Sequence, residues 1–187
     1  MSTSLLPKKY EEFAFVLDSI PHGRSMIIRG REGPIVQAIG EDRLTLLEIL
    51  ALANSTFEIG ERIGIGKQDR VKVMSVLGKL SYDELTMDAK DDLPVVVEKL
   101  VLANESRFVT YFNEAQPVTP RLHALEVIPG IGKTFMMQII REREKKPFQS
   151  LNDLQERVGV REPAKLITRR ILEEIRGGSR IILFVQR

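Results

Sequence analysis

Leu125-Glu126-Val127-Ile128-Pro129-Gly130-Ile131-Gly132-Lys133-Thr134 decides the reading of this chain. It sets Gly-Ile-Gly between two apolar-periodic stretches, a short one over 122–128 and a longer one from about 133 to 145. The glycines permit positive φ and leave no side chain above the backbone. The apolar Ile131 plugs the space beneath the turn. Successive amides can then face outward as an anion-binding concavity, extended by the first amides of the following helix. Lys133 adds a cation and Thr134 a hydroxyl. Such a surface grips a phosphate without reading a base. Gly130, Ile131, Gly132, Lys133 and Thr134 are therefore candidate nucleic-acid-binding residues. Arg141, Lys145 and Lys146 extend the set, because 141 and 145 share one helix face. Glu142 and Glu144 interleave with them, so a solvated face of alternating charge is the other reading.

Working outward, residues 117–178 read as four helices. Thr119-Pro120 supplies an N-cap and a proline at the first helical position, opening a helix over 122–128 that Pro129-Gly130 stops. The second carries Met136, Ile139 and Ile140 on one face and ends before Pro147-Phe148. Ser150, with Asp153 three residues on, caps a third whose Leu151, Leu154 and Val158 face inward. Pro163 opens a fourth, striped by Ile167, Ile171 and Ile175 and closed by Gly177-Gly178. Leu122 and Leu151, Leu125 and Leu154, Gly130 and Gly159, and Ile131 and Val160 all stand 29 residues apart. Two copies are too few for a solenoid but suit two stacked helix pairs sharing one core.

The run Ile128-Pro-Gly-Ile-Gly-Lys133, with Ile139-Ile140 beyond it, resembles the helix-hairpin-helix family of non-sequence-specific nucleic-acid-binding modules. Pro147-Phe-Gln-Ser-Leu-Asn-Asp-Leu154 and Arg157-Val-Gly159 fit tandem members, so the resemblance covers residues 119–176. It implies contact with the phosphates of one strand and minor-groove docking on duplexes. In some members hairpin carbonyls also hold a monovalent cation, and no other cofactor or metal is expected. The second copy departs from the pattern: Arg161 stands where Gly132 stands in the first, followed by Glu162-Pro163. Proline removes an amide donor and Glu162 repels phosphate, so this copy reads as structural.

Residues 1–80 read as β. Runs at 13–17 (closed by the turn-like Pro21-His22-Gly23), 34–39, 43–50, 57–60 with 62–65, and 71–77 form about five short strands with evenly spaced turn signals. They fit a small closed barrel that resembles an OB-type fold. Phe13, Phe15 and Phe57 read as core. Arg24, Arg29, Arg31, Lys67, Arg70 and Lys72 lie in or near its loops and are secondary candidates for backbone contact. Lys67 in Gly64-Ile-Gly-Lys67 lacks the spacing of a nucleotide-binding loop. Residues 81–116 form an acidic helical bridge, opened by a capping box at Ser81-Tyr-Asp-Glu84, with Pro94 in the first turn of a helix through Val97 and Leu100. Phe108 and Phe112 share a face of the next helix. Residues 181–185 form an apolar run, a final strand in 179–187 that can return to the barrel. The expected fold is thus α+β and multidomain: barrel, bridge, tandem helix-hairpin-helix, terminal strand.

Composition sets the outer bounds. Of 187 residues, 43% are apolar and 29% charged, enough for a packed core. No apolar run reaches membrane-spanning length, the start MSTSLLPKKYEEF has no apolar signal core, and a cytoplasmic protein is expected. The absence of cysteine excludes disulfides, thiol catalysis and cysteine-ligated metals. The net charge of +2 hides an asymmetry. Residues 81–116 carry 3 Lys+Arg against 8 Asp+Glu, and residues 117–187 carry 14 against 8. A basic C-terminal third points to a polyanion partner; a solubilising charge pattern is the other reading. His22 and His123 have no nucleophile at fixed spacing, and the consecutive Asp91-Asp92 point in different directions, so no enzyme is expected.

The order of β-rich start, helical bridge and Pro-Gly-Ile-Gly hairpin resembles an archaeal family of uncharacterised proteins joining an OB-like barrel to a helix-hairpin-helix pair. Its genes lie near those for ribosomal RNA methylation and RNA polymerase subunits, which implies RNA rather than DNA; nothing in the residues makes that choice. The expected function is non-sequence-specific nucleic-acid binding. A protein scaffold using the hairpin pair, or a factor associated with DNA repair or nucleases, are the alternatives.

Overall fold

The structure is a computed structural model and describes residues 10–186. The chain divides into two compact units, Met1–Val96 with Glu174–Arg187, and Val97–Glu173. In the first unit, β1 (Phe13–Arg24), β2 (Glu32–Gly40), β3 (Leu46–Ala51), β4 (Arg62–Gly64) and β5 (Val73–Lys79) form one antiparallel sheet in the order β4-β1-β2-β3-β5. Ala14, Val16, Val36, Ala38, Leu47 and Ile49 pack on one face with Ile63, Ile65 and Val73. The alternate residues Phe15, Leu17, Ile35, Ile39, Leu46 and Leu50 are buried too. Burial on both faces explains why β2 and β3 are continuous apolar runs rather than alternating ones.

β1 does not stop at Pro21-His22-Gly23; it runs on through them. The register shifts between Ile20 and Gly23, leaving Pro21 and His22 outside the ladder, where a missing amide costs nothing. A second shift follows Val16, and such bulges bend a strand. The result is a curled half-barrel rather than a closed one. At its open side Arg70 joins the segments by side chain, donating from Nε to Ile65 O at 2.9 Å and from Nη1 to Met74 O at 3.1 Å. The strand expected at 57–60 is absent. Gly60, at φ +80°, turns the chain there, and Phe57 packs on the core instead.

The Ser81 amide does donate to Glu84 Oε1, at 2.9 Å, but this closes only a 3-10 turn, Tyr82–Glu84. Helix α1 (Met87–Ala103) starts later, capped by Thr86, whose Oγ1 accepts from the Ala89 amide at 3.1 Å. The Thr86 hydroxyl also donates to Asp18 Oδ2 at 2.6 Å, and its amide donates to the buried Gln37 Oε1 at 2.9 Å, which pins this helix start to β1 and β2. Pro94 therefore lies inside α1, not in its first turn, and leaves the Lys90 carbonyl without its helical donor.

Residues 181–185 do not form a strand either. The amides of Leu183, Phe184 and Val185 converge on Glu174 Oε1 at 2.8, 3.0 and 3.3 Å, so they are spent on a side chain rather than a ladder. The segment still returns to the sheet, since the Gln186 amide donates to Arg43 O at 2.9 Å.

The second unit contains α2 (Glu105–Glu114), a small hairpin of β6 (Pro117–Thr119) and β7 (Leu122–His123), a 3-10 turn (Ala124–Val127), α3 (Lys133–Lys145), α4 (Leu151–Val158) and α5 (Pro163–Arg176) as far as Glu173. Phe108, Phe112, Leu125, Ile128, Ile131, Ile139, Leu154, Val160, Ile167 and Ile171 are buried. Ser150 caps α4 as its spacing predicts, accepting from the Asp153 amide at 2.9 Å. The helix expected from Thr119-Pro120 does not form. The segment pairs across a tight turn instead, with Tyr111 Oη donating to Ala124 O at 2.8 Å.

Candidate functional site

The two glycines of the first turn do different work. Gly130 sits at φ +91°, and a Cβ built on it would lie 3.0 Å from Leu166 Cδ2 of α5. Gly132 has φ −92° and ψ −172°, ordinary extended backbone, and a Cβ there would meet nothing within 4 Å. Between them Ile131 is buried, and its amide donates to Ile128 O at 3.1 Å. Gly132 is the N-cap of α3; its carbonyl accepts from the Met136 amide at 2.9 Å. Glycine brings no side-chain oxygen to the cap, so the amides of Lys133, Thr134 and Phe135 have no acceptor within the helix. Gly132, Lys133 and Thr134 are all exposed. The outcome is an unobstructed cluster of amides beside one cation. Gly130→Ala should lower stability by about 1–3 kcal/mol, because it combines left-handed backbone with a tight contact. A thermal melt matching the parent would show that the turn tolerates a side chain there.

His123 caps the 3-10 turn Ala124–Val127 that leads into the glycine turn. Its Nδ1 accepts from the Leu125 amide at 3.1 Å, and its own amide donates to Glu126 Oε2 at 2.9 Å. Burial, with the Arg143 charge second, holds the imidazole below its ordinary value of 6.5. A depressed pKa means the folded state binds this proton less readily than the unfolded one. Its contribution to stability is full above about pH 6.5 and fades as the pH falls through the folded value. Protonation also destroys the Nδ1 acceptor. The parent should therefore lose more stability between pH 7.5 and 5.5 than His123→Asn, which keeps a capping oxygen without titrating. Equal losses in urea titrations would remove His123 from this role.

Along α3, Arg141 is exposed, with no ion pair among the described residues. Lys145 is committed to Glu142, 2.7 Å away, an interaction that holds the Glu142 carboxyl below its usual range. Lys146 is exposed, but its carbonyl accepts from Arg157 Nη2 at 2.8 Å. The stripe expected over 141–146 thus holds one cation already neutralised. Sequence reasoning missed Arg157 as a structural clasp. It also donates to Glu142 O at 2.6 Å, pairs with Asp153 at 3.2 Å and lies 4.5 Å over the Phe148 ring. Arg143 likewise serves the fold, donating to Phe112 O and Ala115 O at the end of α2.

The second turn repeats the first only at its start. Gly159 has φ +86° and Val160 is buried, matching Gly130 and Ile131. The helix cap then falls on Glu162, whose carbonyl accepts from the Leu166 amide at 3.4 Å, as Gly132 O accepts from Met136. The caps are 30 residues apart, so Glu162, not Arg161, is the counterpart of Gly132, and this turn is one residue longer. It is closed to anions. Pro163 has no amide, the Glu162 amide donates to Gln155 Oε1 at 3.0 Å, and Glu162 pairs with Lys165 at 2.8 Å. Before the turns, Leu122 and Leu125 lie in a strand and a 3-10 turn while Leu151 and Leu154 lie in α4, so the 29-residue echo is local to the turn.

In the first unit, Arg24 pairs with Glu32 at 2.9 Å, while Arg29 and Arg31 are exposed in the β1–β2 loop and Lys67 is exposed beyond β4. Arg70 is spent on the carbonyls already described. Lys72 donates to Thr56 O at 2.8 Å, pairs with Glu61 at 3.1 Å and lies 5.1 Å from the Phe57 ring. Among the described residues no group of three or more His, Cys, Asp or Glu is arranged to hold a metal, and no helix is long and apolar enough to cross a membrane.

These features define a mixed α+β protein: a curled five-stranded antiparallel sheet, and a helical unit with one open glycine turn. The chain belongs to the DUF655 family, described as proteins of unknown function, whose model matches residues 10–186. It is 43% identical over 169 residues to the uncharacterised protein MJ0038 of Methanocaldococcus jannaschii, a match covering 90% of this chain and 76% of that protein. Its structure is similar to the crystal structure of Af1531 from Archaeoglobus fulgidus, a protein of the same family. The TM-score is 0.83 at 38% identity, over 94% of this chain and all of the other.

Proposed function

We propose that this protein binds nucleic acid without regard to sequence, holding a backbone phosphate at the Gly130-Ile131-Gly132 turn. The observation that carries the reading is the cluster of three uncapped helix-start amides, with Gly132, Lys133 and Thr134 exposed and open space over Gly132. A helix-hairpin-helix module uses such a turn; here the first turn follows a 3-10 turn and leads into α3, while the second is blocked by Glu162 and Pro163. The curled sheet, with β1 pairing on both edges, supports an OB-like reading of the first unit, whose Arg29, Arg31 and Lys67 remain available to a polyanion. RNA is preferred over DNA on the family resemblance alone. A monovalent cation at the turn carbonyls is likewise carried by the family resemblance alone. No catalytic step is assigned. His123 Nδ1 is occupied by the Leu125 amide, and His22 is exposed in a strand bulge.

The test is a titration of the full chain against short single-stranded RNA, duplex RNA and duplex DNA at two salt concentrations. Binding through Z phosphates gives a log–log salt slope of about −0.7Z to −0.9Z. No binding to any of the three, or binding indifferent to salt, would overturn the proposal and favour a protein-contact role for the same hairpin pair.

A further inference from the structure

Leu166 touches the Gly130 turn, which brings the exposed side of α5 alongside it. Arg169 stands three residues further along, one helical turn away and on the same face. It is exposed and has no ion pair among the described residues. Its neighbours on α5 are already committed: Lys165 to Glu162 at 2.8 Å, and the buried Arg170 toward Glu173 at 3.5 Å. A cation left unpaired on a helix where the two nearest basic residues are both paired is available to an external anion. From this we infer that Arg169 is a second phosphate contact, continuing the polyanion path from the first turn onto α5. The inference rests on the phosphate-binding reading of the turn. It gives the second helix pair a binding role despite its closed turn: it contributes through a side chain on its helix and not through backbone amides. The site then spans at least two phosphates of one strand, so a mononucleotide is not its ligand and a polymer is.

The test compares the parent with Arg169→Gln, Gly132→Asp and, as a charge-matched control in the other unit, Lys79→Gln. Each is titrated with the same single-stranded RNA, duplex RNA and duplex DNA over a salt series, after circular dichroism has shown it folded. Arg169→Gln should weaken binding about three- to tenfold and reduce the magnitude of the salt slope by about 0.7–0.9, the value of one phosphate contact. Lys79→Gln should leave the slope unchanged. If Gly132→Asp abolishes binding while Arg169→Gln behaves like Lys79→Gln, the turn is a phosphate site and the path onto α5 is wrong. If the parent binds none of the polymers, both fall together.

Discussion

Gly132→Asp should weaken nucleic-acid binding at least about tenfold while leaving the protein as stable as before, or slightly more so. The two effects have opposite signs because of where Gly132 sits. Its backbone is extended and a Cβ meets nothing, so the substitution introduces no strain. Aspartate is among the preferred N-cap residues and exceeds glycine there by a few tenths of a kcal/mol. Its charge also complements the helix dipole by about 0.3–1 kcal/mol. That same carboxylate would accept from the amides the phosphate needs and would repel the anion. Losing one or two charge-assisted hydrogen bonds costs about 1.5–3 kcal/mol each, and 1.4 kcal/mol is a factor of ten. Arg161→Asp should have much less effect, since Arg161 is the extra residue of the closed turn. A Gly132→Asp protein that melts at or above the parent temperature yet binds like the parent would show that the turn is not where phosphate lands.

Glu174→Ala should destabilise the first unit by about 3 kcal/mol or more. Glu174 is 1% exposed, and one of its oxygens accepts from three successive amides. Truncation leaves those donors without a partner beside the buried Phe184 and Val185, at about 1–3 kcal/mol for each that water cannot reach. Glu174→Gln keeps a carbonyl acceptor of similar reach and should cost less. The check is a urea midpoint together with amide exchange at residues 183–185, because a chain with two compact units need not unfold in one step. A change below 1 kcal/mol would mean the terminal segment is held by its apolar contacts alone.

Features whose cause lies within a few residues were legible in the sequence. Ser150 and Asp153 announce the start of α4, Pro163 and Gly177 bound α5, and the Gly-Ile-Gly turn is visible with its buried isoleucine. What depended on distant partners was not. Pro21 reads as a turn until β1 is seen to bulge there against β2. Ser81 looks a better cap than Thr86 until Asp18 and Gln37 take hold of Thr86. Residues 181–185 have strand composition, and only the Glu174 carboxylate explains why no strand forms. The alignment of the two turns misled by one residue, because letters equate Gly132 with Arg161 while the hydrogen bond to Leu166 equates it with Glu162. Which basic residues are spent internally, as Arg70, Lys72, Lys145 and Arg157 are, cannot be read from spacing, since carbonyl acceptors carry no sequence signature.

The first unit is completed by residues 174–186, so the second is an insertion within it. Thr45 Oγ1 donates to Gln186 O at 3.3 Å, across a sequence separation of 141 residues. On a ribosome adding about 5–20 residues per second, the five strands wait many seconds for the segment that finishes their unit, whereas the helical unit is by then fully made. Synthesis order therefore favours the middle of the chain folding before its beginning.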